Sequence, residues 1–257
     1  MVSRPTGAET EGTGSAVATL PAHEAPPLRA RLKEPLAVLM VVLLGGFALV
    51  TMDVLWGGPL RDFDHTLDDW VLKYCPHWLI VLCRRYLVLP GQRLVNVPPM
   101  AVAAALLARK HRTWRPLVVP LVVMVFLALV VPGMKIWTGR TNPISGHDIL
   151  WATGAAATEY PSGHEMNAVV VWGMCFALWS MLDWPVGRWL TRRRQVLLVA
   201  AMCLWVGVTV IIARTHWFTD VLASLCTGIP LLWLIWRVGF LSGGRSGADA
   251  ERPGREG

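Results

Sequence analysis

The sequence predicts an all-α, polytopic membrane helical bundle, with six transmembrane helices and an interfacial amphipathic segment after the first. Three observations lead there. Of the 257 residues, 54% are apolar and only 16% charged, whereas an average globular domain carries about 25% charged residues. Apolar runs of spanning length recur along the chain. The basic residues collect in short clusters between those runs. Together these exclude a disordered regulator, and the five cysteines are too few for a disulfide scaffold. The net charge of +7 does not build a nucleic-acid-binding face, because the apolar runs interrupt it.

Residues 1–30 are rich in Ala, Gly, Thr, Pro and Glu and lack the charged, apolar and cleavable succession of a signal peptide, so they read as a disordered cytoplasmic tail. The membrane domain is expected over 31–241, and a second disordered tail, rich in Gly, Arg and Glu, over 242–257. The six spans fall at about 36–56, 94–108, 116–134, 164–182, 195–213 and 218–239, each closed by charge, Pro or Gly. Between the first two lies DFDHTLDDWVLKYCPHWLIVLCRRYLVLP, which mixes charge with Trp, Leu and Val at helical spacing. That pattern favours one or two amphipathic helices in the interface over a seventh span through 77–89.

Cys175, Cys203 and Cys226 lie in apolar segments and read as small hydrophobes. Cys75 and Cys83 could pair only if Pro76 breaks the local helix, since eight residues on one helix separate them by about 12 Å; two free thiols is the simpler reading. The 14 Trp residues, several near span ends, read as interface anchors.

Orientation follows from the basic clusters. Arg29, Arg31 and Lys33 precede span one; Arg109, Lys110, Arg112 and Arg115 join spans two and three; Arg188, Arg192, Arg193 and Arg194 join four and five; Arg237 and Arg245 end the series. Six spans put all of these on one side, which the positive-inside rule makes cytoplasmic, together with both termini. The loop after span one opposes this with Arg61, Lys73, Arg84 and Arg85, but less strongly.

The other side then receives three polar stretches: Lys135 to Pro143, Tyr160-Pro161-Ser162-Gly163-His164, and Ala213 to Asp220. Polar and ionisable residues at span ends are costly to desolvate without partners, so a pocket shared by three helix ends is expected. In Pro161-Ser162-Gly163-His164 the glycine admits close backbone approach and the following helix points its N–H groups outward, which suits an anion. Lys135, Arg140 and Arg214 add positive charge, and an arginine fork matches phosphate oxygens. The implied ligand is a phosphate or pyrophosphate. His216 and Asp220 are four residues apart, so on a helix the carboxylate can fix the imidazole tautomer and leave the other nitrogen free as a nucleophile. His164 then supplies a proton to the leaving oxygen. Taken singly, each of these signals also suits a structural role. Asp53 is expected to snorkel to the interface, His147 and Asp148 to solvate a loop, and Glu165 to cap its helix. A metal site from His147, Asp148, His164 and Glu165 matches no familiar ligand spacing, and the nearby cations disfavour it.

The ordered set Lys135…Pro143, Pro161-Ser162-Gly163-His164 and His216-Trp-Phe-Thr-Asp220 resembles the signature of the type 2 phosphatidic acid phosphatase superfamily, membrane lipid phosphatases related in fold to vanadium haloperoxidases. The resemblance spans roughly residues 36–239. It implies His216 as the phosphate-accepting nucleophile, Asp220 as its orienting group, His164 as the acid, and Lys135, Arg140, Ser162, Gly163 and Arg214 around the phosphate, with no metal or cofactor. Two family arginines are displaced: their positions hold Asn142 and Val210, while Arg140 and Arg214 lie nearby. The expected activity is hydrolysis of a lipid phosphate or pyrophosphate at the extracytoplasmic face, with a polyprenyl pyrophosphate favoured. A phosphotransferase on the same fold and a non-catalytic lipid-phosphate binder are the alternatives. Oligomeric state is not readable from the sequence.

Overall fold

The computed structural model describes residues 35–154 and 157–238. The two predicted tails lie outside the described residues. The described chain is all helical. Helix α1 is Pro35–Trp56 and α2 is Pro59–Tyr74. Helix α3, His77–Leu82, runs into a π turn at Cys83–Leu87 and a 3-10 turn at Leu89–Gly91. Then come α4 (Arg93–His111), α5 (Arg115–Thr138) and a 3-10 turn at Pro143–Ser145. Helix α6 is continuous from 163 to 180, in three pieces: Gly163–Met166, a π turn at Asn167–Val171, and Trp172–Ser180. The short α7 (Pro185–Trp189) leads to α8 (Arg192–Ile212) and α9 (Phe218–Val238).

Among the described residues, four helices, α1, α5, α8 and α9, are long and apolar enough to cross a membrane. The predicted second and fourth spans are helical but differ in kind. Helix α4 starts with Arg93 and ends Arg109-Lys110-His111, which shortens its apolar stretch. Helix α6 is divided by its π turn and wholly buried from Glu165 to Val171. It sits at the centre of the bundle, so its surroundings are protein and its composition answers to packing instead of to lipid. Length and apolarity therefore support four spans, where the sequence pattern suggests six.

The main core follows from this arrangement. Leu107 of α4, Leu127 of α5, Met174 and Leu178 of α6 and Leu232 of α9 meet in one buried cluster. On the outside, Val41 and Val42 of α1 and Leu121 and Val122 of α5 are about 60% exposed. Apolar side chains left open in this way are suited to hydrocarbon and costly in water. An apolar groove of about 690 Å³ lies along α8 and α9, lined by Val199, Cys203, Gly207, Ile211, Phe218 and Val221 among others.

The segment after α1 forms two helical pieces, as its pattern predicts. The pieces at His77–Leu82 and Cys83–Leu87 are too short to cross a bilayer, which takes about 20 helical residues. Helix α2 presents Asp64 and Val71 inward. Asp53 does not snorkel: its carboxylate accepts the backbone N–H of Leu60 and of Arg61 at 3.3 and 2.9 Å. It thereby satisfies the free donors at the start of α2 and sets the angle between α1 and α2. All five cysteines are free thiols.

Candidate active site

Three loops and the start of α6 converge at one end of the bundle, tied by backbone bonds. Ser162 N–H donates to Asp220 O at 3.1 Å, Thr141 N–H to Ile149 O at 3.0 Å, and Trp151 N–H to Thr138 O at 2.8 Å. Side chains complete the lattice: Ser224 donates to Ser162 O at 2.9 Å and the Trp217 indole to Thr141 O at 2.7 Å. Gly139 closes α5 in the left-handed region, with φ +52°, and a Cβ there would lie 2.7 Å from Ala152 O. Glycine is required on both counts, because a side chain would push the 147–152 loop off the helix end.

His216 does not share a helix with Asp220. Helix α8 ends at Ile212, Arg214 reverses the chain in the left-handed region (φ +58°), and α9 begins only at Phe218. The carboxylate still reaches back. Asp220 Oδ2 accepts the Trp217 N–H at 2.9 Å and lies 3.4 Å from His216 Nδ1, while Glu159 Oε2 lies 3.2 Å from the same nitrogen. The ring nitrogen sits between the two carboxylates, aligned with neither for a hydrogen bond. On the opposite side, His216 Nε2 meets His164 Nδ1 at 3.2 Å. His164 Nε2 in turn meets the Gln92 side-chain amide at 3.0 Å.

The two candidate phosphate arginines are both held by carboxylates. Arg140 is fully buried. Its Nη1 donates to Asp220 Oδ1 and Thr219 at 2.8 and 2.6 Å, its Nη2 to Asp64 and Asp148 at 2.8 Å each, and its Nε to Asp148 at 2.9 Å. Arg61 joins the group through Asp148 at 2.7 Å. Arg214 forms a two-point pair with Asp68, at 2.6 and 2.8 Å, and donates to Pro143 O. An isolated buried charge is prohibitively costly, so Arg140 and its carboxylates exist only as a set. Burial pushes the Asp64 carboxyl up from its ordinary range despite Arg140 beside it. Burial acts in the same sense on Asp148, but hydrogen bonds and charge from Arg140, then Arg61, outweigh it and hold that carboxyl below its ordinary range. Asp148 thus corrects the expectation of a solvated loop residue, its side chain being 1% exposed; His147 beside it is exposed.

Ser162 caps α6, its Oγ accepting Glu165 N–H at 3.3 Å. Glu165 is therefore not the cap. Its carboxylate is buried without a nitrogen or oxygen partner and faces the Cys203 thiol. A Cβ on Gly163 would lie 3.9 Å from the Lys135 Cε, and the Lys135 ammonium donates to Thr158 O. The opening N–H groups of α6 and the Lys135 ammonium thus flank the histidine pair, a combination suited to an anion.

Sequence reading missed Gln92, Glu159, Asp64, Asp68 and Arg61. Arg61, Asp64 and Asp68 carry a signal, since i, i+3 and i+7 place them on one face of an amphipathic helix. Gln92 and Glu159 lie in turns and loops where no periodicity exists.

The profile of the PAP2 superfamily matches residues 116–243. The chain belongs to that superfamily and is a multi-pass membrane protein of its fold. Its structure is similar to the crystal structure of the first transmembrane PAP2 type phosphatidylglycerolphosphate phosphatase, from Bacillus subtilis. The TM-score is 0.67 at 18% identity, covering 81% of this chain and 98% of that one. At that identity the likeness speaks for the fold. No curated protein gives a match.

Proposed function

We propose that this protein is a membrane lipid phosphatase acting through a phosphohistidine at the extracytoplasmic face, with a polyprenyl pyrophosphate as the favoured substrate. The observation that carries the reading is the His216 Nε2 to His164 Nδ1 approach of 3.2 Å, with Glu159 and Asp220 behind the far nitrogen of His216. A ring with carboxylates on one nitrogen is held with its other lone pair free, as a nucleophile requires. A phosphoryl group enters by parting the two rings. Lys135 and the opening N–H groups at Gly163 and His164 receive its oxygens, and Ser162 shapes the cradle as the cap of α6. Preorganised charge of this kind is worth most in a phosphoryl transfer, where negative charge spreads over the equatorial oxygens.

Arg140 and Arg214 take a different part from the one their charge suggests. With every fork of Arg140 directed at carboxylates or Thr219, it positions Asp220 and through it His216. Arg214, paired with Asp68, fixes the reversal that turns His216 inward. The groove between α8 and α9 begins at Ile211 and Phe218, beside the His216 loop, and takes the lipid chain. The polyprenyl preference rests on the outward-facing site, which suits recycling of a cell-envelope carrier.

The test is phosphate release by detergent-purified protein from polyprenyl pyrophosphate, phosphatidylglycerol phosphate and phosphatidic acid, with excess chelator. Chelator-resistant release that is lost in a folded His216→Ala variant is expected, with a fall of at least about 10⁴-fold. Release retained by that variant would remove His216 as nucleophile. A product that depends on an added alcohol acceptor would make the protein a phosphotransferase.

A further inference from the structure

The geometry points to Gln92 as a positioning residue for His164, whose amide serves that ring whether its Nε2 is bare or protonated; this rests on the proposed phosphohistidine reaction. Gln92 Nε2 lies 3.0 Å from His164 Nε2, on the side of the ring away from His216. Its place is built by the surrounding structure. Gln92 follows the Leu89–Gly91 turn, and that turn is fastened to α6 by Asn167, which donates to Gly91 O at 3.0 Å, and by the Trp172 indole, which donates to Pro90 O at 2.8 Å. A Cβ on Gly91 would lie 3.0 Å from the Cβ of His164 and 3.0 Å from Val206 Cγ1, so a side chain there would crowd the turn against His164 and shift the amide.

The chemistry explains why an amide belongs there. In the first step the Nε2 lone pair of His216 forms the bond to phosphorus, the bond from phosphorus to the leaving oxygen breaks, and that oxygen takes the Nδ1 proton of the His164 imidazolium. In the second step water attacks phosphorus, the phosphorus to nitrogen bond returns its pair to His216, and neutral His164 takes the water proton on Nδ1. Because the proton leaves and returns at Nδ1, His164 keeps its Nε2–H through both steps, and it carries a bare Nε2 only in the resting neutral ring whose proton sits on Nδ1, the form that the Gln92 Nε2 contact suits. An amide serves both forms, with a carbonyl acceptor and an N–H donor exchanged by a half-turn about its terminal bond. A carboxylate serves only the Nε2–H forms and an aliphatic group serves neither. The other titratable and charged groups facing His164 are His216 from the loop before α9 and Lys135 from α5, with Arg93 of α4 beside Lys135 and Glu159 and Asp220 behind His216. On α6 itself Glu165 follows it, facing Cys203 of α8.

The experiment compares Gln92→Leu and Gln92→Glu with wild type, using lipid-phosphate turnover and the histidine ¹⁵N spectrum of the full chain in detergent. Gln92→Leu is expected to lower kcat about 10- to 100-fold, a part of the roughly 10²- to 10⁴-fold that acid–base catalysis supplies, with KM changed less than twofold. Gln92→Glu is expected to keep turnover, since a carboxylate also accepts Nε2–H, and to move the His164 titration in the spectrum and the acid limb of the activity profile to higher pH. Wild-type kcat and pH profile in Gln92→Leu, or equal behaviour of both variants at unchanged thermal stability, would overturn the inference. If wild type itself releases nothing, the proposed function fails, and the ¹⁵N shift of His164 in Gln92→Glu still decides whether the amide governs that ring.

Discussion

Two groups of charged and polar residues lie back to back at one end of the bundle and share Asp220. In the rear group every charged side chain has an opposite partner within ion-pair distance: Arg140 and Arg61 against Asp64, Asp148 and Asp220, with Arg140 and Asp64 fully buried. In the front group His164, His216, Lys135, Gln92 and Glu159 are less completely paired, and the His216 Nδ1 has no aligned hydrogen bond. A saturated cluster holds geometry, because displacing any member uncovers a buried charge. An unsaturated one leaves donors and lone pairs available to a ligand. Asp220 transmits the rigidity of the first to the second.

The comparison breaks first at Arg140. Arg140→Met leaves buried Asp64 and Asp220 without their cation and Asp148 with Arg61 alone, and should cost about 3–5 kcal/mol, read as a lowered thermal midpoint with activity lost alongside. An unchanged midpoint would show that the rear group is not the frame. Lys135→Ala should do the reverse, lowering kcat/KM about 10²- to 10³-fold, as loss of one preorganised charge does, while the midpoint stays near wild type. Equal losses of stability and activity in that variant would merge the two groups into one.

The smallest effect sharpens the same contrast through pH. The Asp148 carboxyl is depressed in the folded protein, so its contribution to stability is present above its unfolded pKa of about 3.9 and disappears as pH falls through the lower folded value. Wild type should therefore exceed Asp148→Asn in stability by about 1–3 kcal/mol near neutral pH, with the gap closing on acidification below about pH 4. A gap constant with pH would assign Asp148 a purely steric part.

Apolar run length, the basic clusters and the three ordered motifs were enough to read an all-helical membrane protein, the amphipathic segment after α1, and the residues brought to one end. These features are local: periodicity and spacing depend only on near neighbours in the chain. The roles of Arg140 and Arg214 were not legible, because an arginine looks alike in sequence whether its partner is a phosphate or an aspartate 76 residues away, as Asp64 is from Arg140. Nor does spacing distinguish a helix that faces lipid from one sheathed by neighbours, which is why α6 matched a span in the sequence and lies at the centre in the fold. Gln92 met His164 only through the docking of a three-residue turn on α6. The sequence by itself determined the superfamily and which polar side chains lie at which helix ends. Only the tertiary structure decided which charges neutralise one another and which remain for a ligand, because that depends on long-range distances and burial, and a buried charge is stable only where the fold supplies its partner.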